Sequence, residues 1–392
     1  MALVFEDAAL AGPATHAIII GIGDYPHLPG GSSATKARFG ARMRQLSSPP
    51  KSARTFADWL IARFDNPARP LASVELLLGE ASLDYQPPPR TGVEPSAAVA
   101  GAATLANIAD AAFRWKERGN FHPDNLLLFY FCGHGVSKGE EFALVASDYG
   151  HSATRPLDGL ISVPKFLIGM QDCASTDQCF FIDACRVSDE TLVEAENYGH
   201  ELVQKVGAQT PGMKQCVYYS TLGGETAHGR KNEPSFYTQA LLWALNGSGA
   251  EDGSGDWRVN TVGLFGAIAH LMRELAGRIP KVQNPQSGSQ VMYDLHWISD
   301  APELPFLLQL VDHDGDDPPP TVESLIFRQD GADLSRYPEA TPPLPRSCVW
   351  QQGQFETWLP EGQTEFEIGR SGEMPVIETH FLRPPGKWLK GK

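Results

Sequence analysis

The chain of 392 residues is 42% hydrophobic and 20% charged, an ordinary globular composition that argues against global disorder and against a fibrous class. With 47 acidic against 32 basic residues it carries a net charge of −15, which repels phosphate backbones unless basic groups cluster locally, so nucleic acid is not an expected partner. No apolar run approaches the roughly 18 residues that span a bilayer, and the start MALVFEDAALAGPATH has no basic region before its apolar residues, so a cytosolic protein without a membrane partner is expected.

Along the chain, six short apolar runs read as strands buried on both faces: HAIIIGI (16 to 22), SVELLL (73 to 78), NLLLFYFC (125 to 132), QCFFID (178 to 183), QCVYYST (215 to 221) and QVMYDL (290 to 295). Between them, amphipathic stretches at 53 to 64, 97 to 119, 235 to 247 and 261 to 279 read as helices. Strand then helix, repeated, predicts an α/β domain over residues 1–300 with a mostly parallel six-stranded sheet flanked by helices. In such sheets the ligand crevice lies beyond the carboxyl ends of the strands. After residue 300 the texture changes. Residues 301–318 read as an acidic, Pro-rich linker, and residues 319–392, with short alternating runs, as a small β-rich appendage.

Several motifs carry little chemistry. GIGDYP (21 to 26) follows a strand as a dinucleotide loop would, but Pro26 stands where the third glycine is needed. The DHDGDD run, Asp312 to Asp317, lacks the glutamate that closes a calcium loop and reads as a solvated acidic segment. Six cysteines without a C-x-x-C pair suggest free thiols and no zinc, and Cys132, Cys173, Cys179 and Cys216 read as packing residues. No metal and no cofactor are expected.

Two strand ends say more. NLLLFYFCGHGVS ends its apolar run at Gly133-His134-Gly135, which sets an imidazole at the sheet edge between residues without side chains. FFIDACR ends at Asp183-Ala184-Cys185 on the next core strand. Adjacent strands bring the two ends, 51 residues apart, to one crevice, where a histidine can take the thiol proton and a thiolate can attack. Asp183, at i−2 from the thiol, faces the same side of its strand.

DACRV resembles the caspase signature Q-A-C-x-G, with Asp183 for its glutamine and Val187 for its last glycine. The His-Gly strand end with D-x-C is similar to the metacaspase and paracaspase branch of the caspase-like peptidases, bacterial members included. Other stretches follow in the family's order over residues 14 to 298: HAIIIGIGDYPHLPG, FALVASDY ending at Asp148, YYSTLGGETAHG, SFYTQALLWAL and QNPQSG. The resemblance implies a caspase-like three-layer fold and a cysteine endopeptidase, with Cys185 as nucleophile and His134 as general base. It implies the N–H groups of Gly135 and Cys185 as the oxyanion site, and a protein or peptide as substrate. Asp183, Ser220 and Thr221 are the expected substrate-pocket residues, and a carboxylate there favours Arg or Lys before the scissile bond. One departure bears on this: the family's second pocket acid lies in an N-D-A triplet, and Lys51-Ser52-Ala53 stands here.

The 29 residues between Cys185 and the strand at 215 are long for a connection. They are open to self-cleavage at Lys205 or Lys214, to ordering by an activating ligand or partner, or to an inserted helix over 189 to 206. Kinship also implies a regulated role in bacterial immunity or programmed death. The competing classes are a catalytically silent caspase-like interaction module and a peptidase of the clostripain or separase type.

Overall fold

The structure is a computed structural model that describes residues 2–93, 97–138, 141–185, 187–188, 199–221, 232–253, 256–276, 284–289, 291–310, 317–351 and 353–391. The chain divides into two compact units, Met1–Leu242 with Gln283–Tyr293, and Trp243–Val282 with Asp294–Lys392.

In chain order the first unit contains β1 (Leu3–Glu6), β2 (Thr15–Ile22), α1 (Ser48–Arg63), β3 (Leu71–Gly79), α2 (Leu105–Asn120), β4 (Leu126–Gly133), β5 (Gly135–Lys138), β6 (Glu141–Val145), β7 (Leu160–Ser162), α3 (Val163–Gly169), β8 (Asp177–Ala184), β9 (Val187–Ser188), β10 (Lys214–Tyr219), α4 (Phe236–Trp243) and β11 (Gln286–Ser289). The main sheet runs β1-β3-β2-β4-β8-β10-β11, and a short strand, Gly101–Ala102, pairs with β3. The ladders from β3 to β10 are parallel, whereas β1 and β11 close the two sides antiparallel. Every residue of β3, β4 and β8 is buried, as a parallel sheet covered on both faces requires.

Side-chain alternation sorts the strands' residues into two layers. Phe129 and Phe180 pack with Trp115 of α2 and Phe166 of α3, the Phe129 and Phe166 rings 5.1 Å apart. Tyr130, Phe181 and Tyr218 face the other way, where Phe56 of α1 lies 4.8 Å from Tyr130 and Tyr237 of α4 bonds the Tyr218 carbonyl. The three-layer arrangement expected from the sequence is therefore present. Glu75, buried on β3, ties the sheet to α2 through Arg114 and Arg118.

The structure departs from the expected elements: the main sheet is eight-stranded and not six-stranded, because Leu3–Glu6 and Gly101–Ala102 also pair with β3. The sixth of the expected strands is Gln286–Ser289 rather than 290 to 295. Val291 and Tyr293 reach the sheet by other bonds, the Cys216 thiol donating to the Val291 carbonyl and the Tyr293 hydroxyl to the Gln178 carbonyl. The helix expected over 97 to 119 begins at Leu105, because the Thr104 hydroxyl accepts from the Asn107 N–H and starts it there. The segment read as a linker opens with a strand, Glu303–Leu310, whose LPFLLQL run is too apolar to stay in solvent. Residues 311–316 of that segment, which hold the DHDGDD run up to Asp316, lie outside the described residues.

That strand belongs to the second unit's eight-stranded sheet, built otherwise from strands between Val322 and Gly391 around Phe306, Phe327, Phe355 and Phe366. The same unit holds the helix Thr261–Ala276 and a three-stranded sheet of Ala250–Asp252, Trp257–Asn260 and Asp294–Ile298. Among the described residues no helix is long and apolar enough to cross a membrane.

Candidate active site

Beyond the carboxyl end of the main sheet, β5 and β9 continue the lines of β4 and β8 in a second sheet, ordered β7-β6-β5-β9. The register across the break is constant. Cys132 faces Asp183 and Gly133 faces Ala184 in the main sheet, while Val136 faces Val187 and Ser137 faces Ser188 in the second, always 51 positions apart. His134 and Cys185 fall between these pairs at the same 51-residue offset, each directly after the last residue of its strand, β4 and β8. Neither flanking glycine can be replaced freely. A Cβ on Gly135 would meet the Cys185 carbonyl at 2.5 Å, and one on Gly133 would meet the Tyr25 hydroxyl at 2.8 Å.

Of the six cysteines, all of them described, five are buried and Cys185 alone is half-exposed. Burial pushes the thiols of Cys132, Cys173 and Cys179 up, which keeps them protonated and inert. The half-exposed thiol among the cysteines thus belongs to the residue directly after β8.

His134 is held by three groups. Its Nε2 lies 2.6 Å from the carbonyl of Arg44, its backbone N–H donates to the Tyr25 hydroxyl at 2.9 Å, and the Tyr25 ring packs 4.8 Å from the imidazole. A carbonyl can only accept, so Nε2 carries the hydrogen and, in the neutral ring, Nδ1 keeps the lone pair. The loop that supplies the carbonyl is clamped by Gln45, which accepts from the Tyr25 N–H at 2.8 Å and donates to the carbonyls of Tyr25 and Pro29. Sequence reasoning missed Tyr25, Gln45 and the Arg44 carbonyl.

Burial lowers the His134 pKa from the ordinary 6.5, and the Arg44 carbonyl offsets this in part by favouring the charged ring. The ring is therefore neutral at pH 7 and able to accept a proton. Because the folded value lies below the unfolded one, the neutral ring's stability contribution is complete above 6.5 and is lost as pH falls toward the folded value. An NMR titration of the His134 ring carbon is expected to give a midpoint below 6.5; a midpoint at or above it contradicts this environment.

Asp183 faces the α1 and α4 side and is 2% exposed. Its Oδ2 accepts from the hydroxyl of Ser235, from the Cys132 thiol at 3.2 Å and from the Thr238 hydroxyl at 3.3 Å. The Thr238 hydroxyl lies 2.7 Å from that of Tyr130, and Ser52 of α1 accepts from the Ser235 N–H at 2.9 Å. Burial raises the Asp183 pKa, and hydrogen bonds from Ser235 and the other donors hold it back. Ser220 and Thr221 are fully buried just past β10, and the Thr221 hydroxyl reaches the Ala184 carbonyl at 3.4 Å. The expected pocket residues thus form one buried polar cluster behind Cys185, with Ser52 standing where the family pattern has its second acid. Asp148, which ends the expected hairpin, accepts from the Leu105 N–H at the start of α2.

Of the connection after Cys185, residues 187–188, which form β9, and those from 199 onward are described. It contains no helix there, and the remainder of the helix expected over 189 to 206 lies outside the described residues. Leu202 and Val203 are buried, Asp172 accepts the N–H groups of Val206 and Gly207, and Lys116 binds both Asp172 and the Gln204 carbonyl. Lys205 donates to Gln171, and Lys214 lies in β10 paired with Asp177.

A family model of the caspase domain matches residues 14–286, which contain both strand ends and the buried cluster. "Uncharacterized protein y4kE" of Sinorhizobium fredii is 28% identical over 216 residues, 54% of this chain, and the match takes in 60% of that relative's length. Caspase-1 from Spodoptera frugiperda is similar with a TM-score of 0.40 at 11% identity, over 71% of this chain and 86% of its own. The chain belongs to the caspase-domain family of cysteine peptidases.

Proposed function

We propose that the chain is a cysteine endopeptidase that works by a Cys185 and His134 dyad and cuts after Arg or Lys. The observation that supports this reading is the 51-residue offset kept on both sides of the break, with His134 and Cys185 directly after the ends of the paired strands β4 and β8. In the reaction, Nδ1 of His134 takes the Sγ proton and the thiolate adds to the substrate carbonyl carbon, forming a C–S bond. The N–H groups of Gly135 and Cys185 receive the oxyanion, fixed beforehand on rigid strand ends. The imidazolium, steadied by the Arg44 carbonyl, gives its proton to the leaving amine, and water then cleaves the thioester.

Basic selectivity rests on Asp183. It is 2% exposed and its carboxyl group is bonded within the cluster, so its charge acts on a bound guanidinium or ammonium across the cluster, two residues from the nucleophile, and not by direct contact. Self-cleavage at Lys205 or Lys214 requires the chain to leave the contacts described above, so the proposal assigns activity to the uncut protein. Reporter peptides that differ only before the scissile bond test the selectivity. Arg and Lys are expected to be cut about 100-fold faster than Asp, since a like charge in a pocket costs several kcal/mol. Faster cleavage after Asp or Leu overturns it.

A further inference from the structure

Resting on the peptidase reading, we propose that the rim of this site selects substrates with acidic side chains flanking the scissile bond. Between Asp24 and Asp58 the sequence holds six cations, Lys36, Arg38, Arg42, Arg44, Lys51 and Arg54, and no further carboxylate, in a chain whose net charge is −15. Arg54 is paired with Glu80. The other five are exposed in the structure. The Lys36 ammonium donates to the Gly31 carbonyl and the Arg38 guanidinium lies over the Phe39 ring, and among the described residues neither is paired with a carboxylate.

This basic stretch belongs to the catalytic edge. The Arg44 carbonyl binds His134, the Gln45 side chain clamps the loop to Tyr25, and Ser52, next to Lys51, reaches the buried cluster behind Cys185. An extended peptide laid across Cys185 therefore passes a stretch of chain in which exposed cations outnumber carboxylates, Asp24 being its exposed acid. Such a rim raises the local concentration of oppositely charged ligands and speeds their arrival, an effect that falls with ionic strength. It also counters the repulsion that a strongly acidic protein exerts on acidic substrates. The placement beside a peptidase dyad favours an acidic peptide over a nucleic acid as the occupant.

The test uses the full chain with Cys185→Ala, so that binding is read without turnover. Fluorescent peptides with one Arg before the bond carry three Glu on the amino side, three Glu on the carboxyl side, or Gln at those positions. With about 2- to 5-fold per exposed charge pair, one Glu peptide should bind about 10-fold tighter than its Gln counterpart at low salt. The difference should shrink at high salt and in Arg38→Gln/Arg42→Gln, and persist in Arg38→Lys/Arg42→Lys. Equal affinity of Glu and Gln peptides, or a preference unchanged by Arg38→Gln/Arg42→Gln, overturns the proposal. So does tighter binding of a single-stranded oligonucleotide of the same charge. A Glu preference in this assay, with no peptide cut by the unsubstituted chain, overturns the peptidase reading alone.

Discussion

Replacing His134 by alanine is expected to slow peptide hydrolysis at neutral pH by about 10²- to 10⁴-fold, the range typical of a positioned general base. Cys185→Ala should lose more, about 10⁴-fold or beyond, because no other group can form the acyl intermediate. The double variant should be no slower than Cys185→Ala, since the two side chains act as one device. The fold should survive both changes. His134 and Cys185 sit past the last residues of β4 and β8, and the sheet's aromatic layers contain neither. Steady-state kinetics with a fluorogenic peptide, beside circular dichroism, checks this. A His134→Ala protein that keeps activity within a few-fold would mean that another group accepts the thiol proton.

Asp183→Ala should act on stability first. Removing the carboxylate leaves the hydroxyls of Ser235 and Thr238 and the thiol of Cys132 without their shared acceptor in a buried space, at about 3 kcal/mol. Asp183→Asn keeps the shape and should cost less. The sign of its pH dependence follows from the raised pKa: the folded state holds the Asp183 proton more tightly than the unfolded chain does. The wild type therefore loses stability relative to Asp183→Asn as pH rises above 3.8, the ordinary value. Thermal unfolding of the three proteins at acidic and neutral pH reads both effects. An Asp183→Ala protein as stable as wild type would place the carboxylate in contact with water, outside the hydroxyl cluster.

The parallel core was legible because strands buried on both faces read as continuous apolar runs, and FFID and LLLFYFC announced the neighbours β4 and β8. The edge strand Gln286–Ser289 was not, since QSGS has no apolar signal and is held by its ladder with β10. The strand Glu303–Leu310 was hidden by the Pro and Asp residues that follow it. At the site, the strand ends exposed His134 and Cys185, but their supports come from distant chain. Ser235 and Thr238 lie 52 and 55 residues beyond Asp183, and only the packing of α4 brings them to it. The Arg44 carbonyl is a backbone acceptor, which any residue type supplies, so no motif could name it. Tyr25 stood in view within GIGDYP, where a glycine-loop pattern drew attention away from the aromatic ring.

In the proposed dyad the thiol of Cys185 and the imidazole of His134 act on each other. Treating the purified chain with a peptidyl acyloxymethyl ketone that carries Arg beside the reactive group, then locating the adduct by peptide mass spectrometry, addresses it directly. The account predicts one adduct, on Cys185, formed much more slowly in His134→Ala. Equal labelling in the two proteins, or an adduct on any other cysteine, would contradict it.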